Sequence, residues 1–384
     1  MSDGTRFETT AIHAGQEPDA LTGSIVVPLY QTSTYLQDAV GKPRGYEYSR
    51  TDNPTRRALE VCLAGLEQAS HAVAFASGMA ALTTLVMTLK SGDLVLIPDD
   101  VYGGTYRLFS KVMVDFGISY DTVDMTDEGA VAKSLEAGAK LVVAETPTNP
   151  LLKVLDLEML SSLAHQAGAF VVVDNTFATP FIQLPLDLGA DAVVYSATKY
   201  LGGHSDLVMG SVATSDDDLA ERLRFLRNAM GPVPSPFDCW LLLRGLKTLA
   251  IRMRAHSANA ARVAEFLTSH DAVTKVYFPG LDGSPGRAVA DRQMIAAGEP
   301  LYGGMVSFEV ASEELAVAAC ARTKLFFLGE SLGGVESLIE HPGRMTHFSL
   351  AGSPIEVPGN LVRLSVGIEH PDDLIADLDF GLAP

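Results

Sequence analysis

Between residues 71 and 196 the chain repeats one pattern: a short, almost wholly apolar run, a polar or glycine-bearing turn, then a stretch with helical spacing. The runs are HAVAFAS, LVLIP, ISYDTVD, KLVVAET, AFVVVDN and DAVVYSA. Several lack polar alternation, as expected of strands buried on both faces of a parallel sheet. Between them, Leu82, Leu85, Val86 and Leu89 fall at helical spacing, and EGAVAKSLEAG and MLSSLAHQAG read as further helices. Alternation of this kind predicts a doubly wound, mainly parallel α/β domain, placed at residues 56–245.

The flanks read differently. Residues 1–55 alternate strand-like pieces with glycine and proline turns and predict an extended arm, packed on a neighbouring subunit because ordering it alone is costly. From about residue 240 one long amphipathic stretch, WLLLRGLKTLAIRMRAHSANAARVAEFLTSH, leads into the strands VTKVYFPG and GMVSFEVA and the helix EELAVAACAR. The strands KLFFLG, VESLIE and LVRLSVGIE and a last helix follow, which predicts a smaller α+β domain over 246–384. Asp and Glu outnumber Lys and Arg by 47 to 28, a net charge of −19, so a phosphate backbone is repelled and nucleic acid is not expected as a partner. No apolar stretch approaches the ~20 residues that span a bilayer, so no membrane partner is expected. Cys62, Cys239 and Cys320 are isolated, and MSDGTRFETT lacks a secretory h-region, so a reducing cytoplasm is expected. The histidines show no ligand spacing, so no metal site is expected; His204 and His347 are read as hydrogen-bonded structural residues.

Ligands of doubly wound sheets bind at the carboxyl ends of the strands. Ser77-Gly78-Met79 follows the first apolar run and opens a helix, where backbone N–H groups can cradle a phosphate. Asp174 ends AFVVVD, where a carboxylate is costly to bury without a cation or hydrogen-bond donors. Lys199 follows DAVVYSAT, where desolvation lowers an amine's pKa and makes it a nucleophile and base. Asn149 stands after KLVVAETPT, in a position that an Asn-Pro turn would also explain. A phosphate cradle, an acid and a lysine on one sheet match the three polar handles of pyridoxal 5′-phosphate (PLP).

The sequence also resembles the Cys/Met-metabolism family of fold-type I PLP enzymes, which includes cystathionine γ-synthase, cystathionine γ-lyase and methionine γ-lyase. The resemblance rests on YEYSRTDNPTR, FASGMAA, DDVYGGTYR, ETPTNP, VVVDNTFATP, YSATKYLGGHSD, LGGVESLIEHP and NLVRLSVGIE, in that order along the chain. It implies that Lys199 is the Schiff-base lysine and Asp174 the partner of the pyridine nitrogen. Gly78, Met79, Ser196 and Thr198 would hold the phosphate, joined by Tyr48 and Arg50 from an adjacent subunit. Tyr102 would stack on the ring and act as acid–base partner. Arg363 would clamp the substrate α-carboxylate, helped by Asn149 and the Ser337 region. A homotetramer with active sites shared across each dimer is implied.

Which member the chain resembles most turns on a few positions. Gly104 stands where methionine γ-lyases carry a cysteine, which counts against methionine. Glu336 resembles a glutamate of the γ-synthases and γ-lyases and is expected to meet a distal ammonium. Arg107 is expected to meet a distal carboxylate. Glu47 favours the γ-lyases, some synthases having aspartate there. The expected reaction is γ-elimination on L-cystathionine, giving L-cysteine, 2-oxobutyrate and ammonia. The alternative is γ-replacement on O-succinyl- or O-acetyl-L-homoserine by L-cysteine.

Overall fold

The apolar runs all become strands of one sheet. The computed structural model describes residues 4–353 and 355–383. The main sheet contains β1 (His71–Phe75), β2 (Leu94–Pro98), β3 (Ser119–Val123), β4 (Leu141–Glu145), β5 (Phe170–Asp174), β6 (Ala192–Ser196) and β7 (Gly210–Thr214). Their spatial order is β1-β7-β6-β5-β4-β2-β3. Only β7 runs against its neighbours; the other pairs are parallel. Sequence reading missed β7. Its five residues, GSVAT, are small, and no turn dipeptide sets them off from the glycine-rich stretch before them.

This topology brings the carboxyl ends of β1, β2, β4, β5 and β6 to one edge. Phe75 and Ser196 both pair with Gly210, so the turns after β1 and β6 are neighbours. Glu145 and Asp174 are partners across β4 and β5. The helix Gly78–Val86 is capped by Ser77, whose Oγ accepts from the Ala80 N–H at 3.0 Å.

The second sheet is built from β8 (Val273–Tyr277), β9 (Met305–Val310), β10 (Phe327–Leu328), β11 (Leu338–Glu340) and β12 (Leu361–Ser365), in the order β8-β9-β12-β11-β10. All its pairs are antiparallel except β10 with β11. Val306, Phe308, Val362 and Leu364 are fully buried on this sheet, in one cluster with Ala316 and Leu374 of the helices Glu313–Arg322 and Pro371–Leu382. Withdrawing each large aliphatic or aromatic side chain of that kind from water contributes about 1.5–3 kcal/mol.

Two expectations need correction. The long amphipathic stretch is two helices, Pro236–Leu246 and Leu249–Thr268. Arg252 sits at the break, donating from Nη2 to the Gly245 carbonyl at 2.8 Å and from Nε to Thr248 Oγ1 at 3.0 Å. It thereby satisfies a carbonyl at the end of the first helix. The arm is not extended throughout, because Phe7–His13 is helical and the Phe7 ring meets Phe181 edge-on at 5.1 Å. Further along, Arg56 is buried and donates to the carbonyls of Ser49 and Thr51, both at 2.8 Å. That grip leaves Tyr48 about half exposed. Among the described residues no helix is long and apolar enough to cross a membrane.

Candidate active site

A cavity of about 320 Å³ opens at the shared carboxyl edge of the main sheet. Gly78, Met79, Tyr102, Asn149, Asp174, Ser196, Thr198, Lys199 and Arg363 all line it. Residues far apart in sequence meet here because β1, β2, β4, β5 and β6 share one direction, and β12 adds Arg363 from the second sheet.

Lys199 Nζ donates to Ser331 Oγ at 2.7 Å. Burial, and secondarily the charge of Arg363, pulls its amine down to about 8. Near pH 7 about a tenth of such amines are unprotonated, against fewer than about one in a thousand for an ordinary lysine. The Asp174 carboxylate accepts from the Thr176 N–H at 3.0 Å, and burial holds its pKa above the usual carboxylate value. A cation placed beside it would reverse that shift. Its cross-strand partner Glu145 is raised well above the usual range, by burial first and by the charge of Asp174 second.

The start of the helix Gly78–Val86 also lines the cavity. The first N–H groups of a helix lack intrahelical partners and attract anions. Gly78 is required by space, since a Cβ there would lie 2.8 Å from the Ser196 Cβ. The Thr198 hydroxyl is held by the Met209 backbone, donating to its carbonyl at 3.2 Å and accepting from its N–H at 3.1 Å.

Arg363 Nη1 donates to Asn149 Oδ1 at 2.8 Å, and Nη2 donates to the Ser331 carbonyl at 3.0 Å. The Tyr102 N–H donates to Glu145 Oε2 at 3.2 Å, and its ring meets His347 edge-on with centroids 6.5 Å apart. His347 Nε2 faces the Asn149 carbonyl at 3.2 Å, and burial pushes the imidazole down to about 3. His204 Nδ1 faces the Gly202 carbonyl at 2.8 Å. Both histidines therefore sit on backbone partners, as expected of structural residues.

Six expected residues lie outside the cavity lining. Ser337 is the clearest correction: its hydroxyl donates to Glu369 Oε2 and accepts from the Gly367 N–H, both at 2.8 Å. Glu336 accepts from Ser205 Oγ at 3.3 Å. The pair that lines the cavity is Glu330-Ser331, six residues earlier. Ser331 has φ 101°, a region that non-glycine residues rarely adopt and that marks functional sites. Arg107, in the short helix Gly103–Arg107, does not line the cavity either. Glu47, Tyr48 and Arg50 are on the arm, where the Arg50 guanidinium lies 5.7 Å from the centre of the Tyr48 ring. Sequence reading also passed over Glu145, although a carboxylate ending LVVAE carries the same signal as the one that singled out Asp174.

The donor set fits PLP. N–H donors without helical partners suit its phosphate, a buried acid suits its ring nitrogen, and an amine with lowered pKa suits its aldehyde. The comparisons agree over nearly the whole length. The model of the Cys/Met metabolism PLP-dependent enzyme family matches residues 8–383. A cystathionine gamma-synthase of Mycobacterium tuberculosis is 52% identical over 377 residues, 97% of this chain and 96% of that protein. A cystathionine beta-lyase of Lactococcus lactis is 48% identical, covering 97% of this chain and 98% of its own. The crystal structure of a cystathionine gamma-lyase from Lactobacillus plantarum, complexed with L-serine, superposes with a TM-score of 0.94 at 44% identity, covering 98% of each chain. The chain is a fold-type I enzyme that depends on PLP, and it belongs to the Cys/Met metabolism PLP-dependent enzyme family.

Proposed function

We propose that the protein works at Cγ of a cystathionine-type substrate, with γ-replacement of an O-acyl-L-homoserine by L-cysteine as its main reaction. The observation that carries the substrate class is that one cavity holds Lys199, the guanidinium of Arg363 and, besides Asp174 and Glu145, the acid Glu330. An amino acid's α-carboxylate suits Arg363, and the ammonium of a second amino-acid end suits Glu330. Cystathionine carries both groups, and in its synthesis the O-acyl-L-homoserine brings the α-carboxylate while L-cysteine brings the second ammonium. Glu330 takes the role that sequence reading gave to Glu336.

A leaving group on Cγ cannot be expelled by one deprotonation at Cα, so a proton must also leave Cβ. When bound, PLP supplies the electron sink for both steps. Lys199 Nζ removes the Cα proton and passes protons between Cα and Cβ, a task suited to an amine with a pKa of about 8. The Tyr102 hydroxyl delivers a proton to the departing group. Arg363 and Asn149 fix the α-carboxylate, which orients the Cα–H bond toward Lys199. The outward Tyr48 and Arg50 complete the phosphate site of a neighbouring subunit in a homotetramer.

Replacement is supported by the likeness to the mycobacterial cystathionine gamma-synthase at 52% identity. Elimination from L-cystathionine, the reading that Glu47 favours, is supported by the likeness to the Lactobacillus plantarum γ-lyase. Methionine is disfavoured as a substrate because Gly104 stands where methionine γ-lyases carry a cysteine, and a Cβ there would lie 2.3 Å from a ring carbon of Tyr102, so a larger side chain would not fit without movement. A paired assay on the PLP-loaded protein decides between them. One arm supplies O-succinyl- or O-acetyl-L-homoserine with L-cysteine and follows cystathionine; the other supplies L-cystathionine and follows 2-oxobutyrate and ammonia. A dominant first arm is expected. A dominant second arm makes the protein a γ-lyase, and silence in both overturns the substrate class.

A further inference from the structure

Arg363 has an anionic partner that the reaction outlined above does not use. Glu340 ends β11 directly opposite Arg363 on β12. Its Oε1 lies 3.1 Å from Arg363 Nη1, and both side chains are 2% exposed. Thr346 Oγ1 donates to the same Oε1 at 2.7 Å. Thr346 lines the cavity and Glu340 does not. The guanidinium is thus gripped on three sides, by the Asn149 amide oxygen, the Ser331 carbonyl and the Glu340 carboxylate. Among the described residues its Nε–H has no hydrogen-bond partner.

We propose that Glu340 is a positioning residue for the substrate carboxylate site. It holds the Arg363 guanidinium in place through a buried cross-strand ion pair, itself pinned by Thr346, so that the remaining N–H groups meet an incoming α-carboxylate. The inference rests on the reading of Arg363 as the carboxylate clamp. A guanidinium recognises a carboxylate through a rigid planar fork, so a small rotation costs both hydrogen bonds. A buried cation stripped of its counter-ion also shifts toward water or toward other acids. Here Glu330, Glu145 and Asp174 are the acids lining the cavity. Because Glu340 lies outside the cavity and Thr346 pins it, the substrate carboxylate adds to this ion pair and does not displace it.

The test uses the PLP-loaded protein and two non-reacting probes, L-alanine and its decarboxylated counterpart ethylamine. Each Kd is read from the change in cofactor absorbance, alongside KM and kcat for the acyl-homoserine. Glu340→Ala is expected to weaken L-alanine by about tenfold or more, the scale of a lost charge-assisted contact, while ethylamine shifts less than about twofold. Glu340→Gln, which keeps the shape but not the charge, falls between. Thr346→Val weakens L-alanine alone, and Thr346→Ser, which restores the hydroxyl, recovers that binding relative to Thr346→Val. In each weakened variant KM rises far more than kcat falls. Equal weakening of both probes means general damage to the fold and overturns the proposal, as does unchanged or tighter L-alanine binding. Arg363→Gln is the reference. If it does not weaken L-alanine relative to ethylamine, the reading of Arg363 itself falls, separately from the result at Glu340.

Discussion

The two halves of the cavity are built by different means. The cofactor half consists of turns at the ends of adjoining strands in one sheet, and ladder hydrogen bonds fix their spacing. The substrate half draws Arg363 from the second sheet and Glu330, Ser331 and Thr346 from irregular segments between strands. Polar side chains there are held by one another, as Arg363 is by Asn149, Ser331 and Glu340. Chemistry common to every substrate belongs in the rigid half, and selection among substrates in the half that can be repacked.

That division predicts where substitutions act. Lys199→Ala should lower turnover about 10³-fold or more with acyl-homoserine and cystathionine alike, since in the proposed mechanism the residue moves protons in both reactions. A loss confined to one substrate would break the division. Asp174→Asn should cost about 10²-fold, again with every substrate, because on the proposed reading it removes the charge that would face the ring nitrogen. Parallel rate measurements on two substrates check both variants. Arg363→Lys belongs to the other half. It keeps the charge and loses the fork, so KM should rise about 10- to 100-fold while kcat changes only a few-fold. A fall in kcat as large as the rise in KM would show that the clamp also serves the chemical step.

How much was legible beforehand follows the same division. Gly78, Asp174 and Lys199 stand out in sequence because each breaks an apolar run at its end, and a parallel sheet must gather such ends. Arg363 lies within LVRLSV on a strand whose five residues are all buried, so only the family resemblance marked it. The stretch GESLGGVESL carries Glu-Ser twice, and nothing local tells 330–331 from 336–337. Tertiary contacts decide it: the Ser337 hydroxyl is consumed by Glu369 and Gly367, whereas Ser331 is turned to Lys199. Glu340 was invisible for a related reason, since its meaning depends on its register with β12. Strand β7 escaped because its small residues carry little apolar signal, though it supplies the row linking the Gly78 and Ser196 turns.

The halves also meet electrically, and a pH measurement can sharpen the comparison. If Lys199 is the proposed Schiff-base lysine it must be unprotonated to attack the aldehyde of incoming PLP, so uptake by the cofactor-free protein should quicken as pH rises. With its amine at about 8 the rate should climb about tenfold between pH 7 and 9 and then level. An ordinary lysine, titrating near ~10.4, would climb about a hundredfold over that interval without levelling. Burial is the larger cause of the lowered value and the charge of Arg363 the second; Glu340 and Glu330 oppose them. Arg363→Gln should therefore move the midpoint upward, while burial keeps it below that of a free lysine. Cofactor absorbance followed over a pH series in both proteins checks this. An unmoved midpoint would mean that the substrate half exerts no electrostatic hold on Lys199, and that the two halves share a cavity without sharing a field.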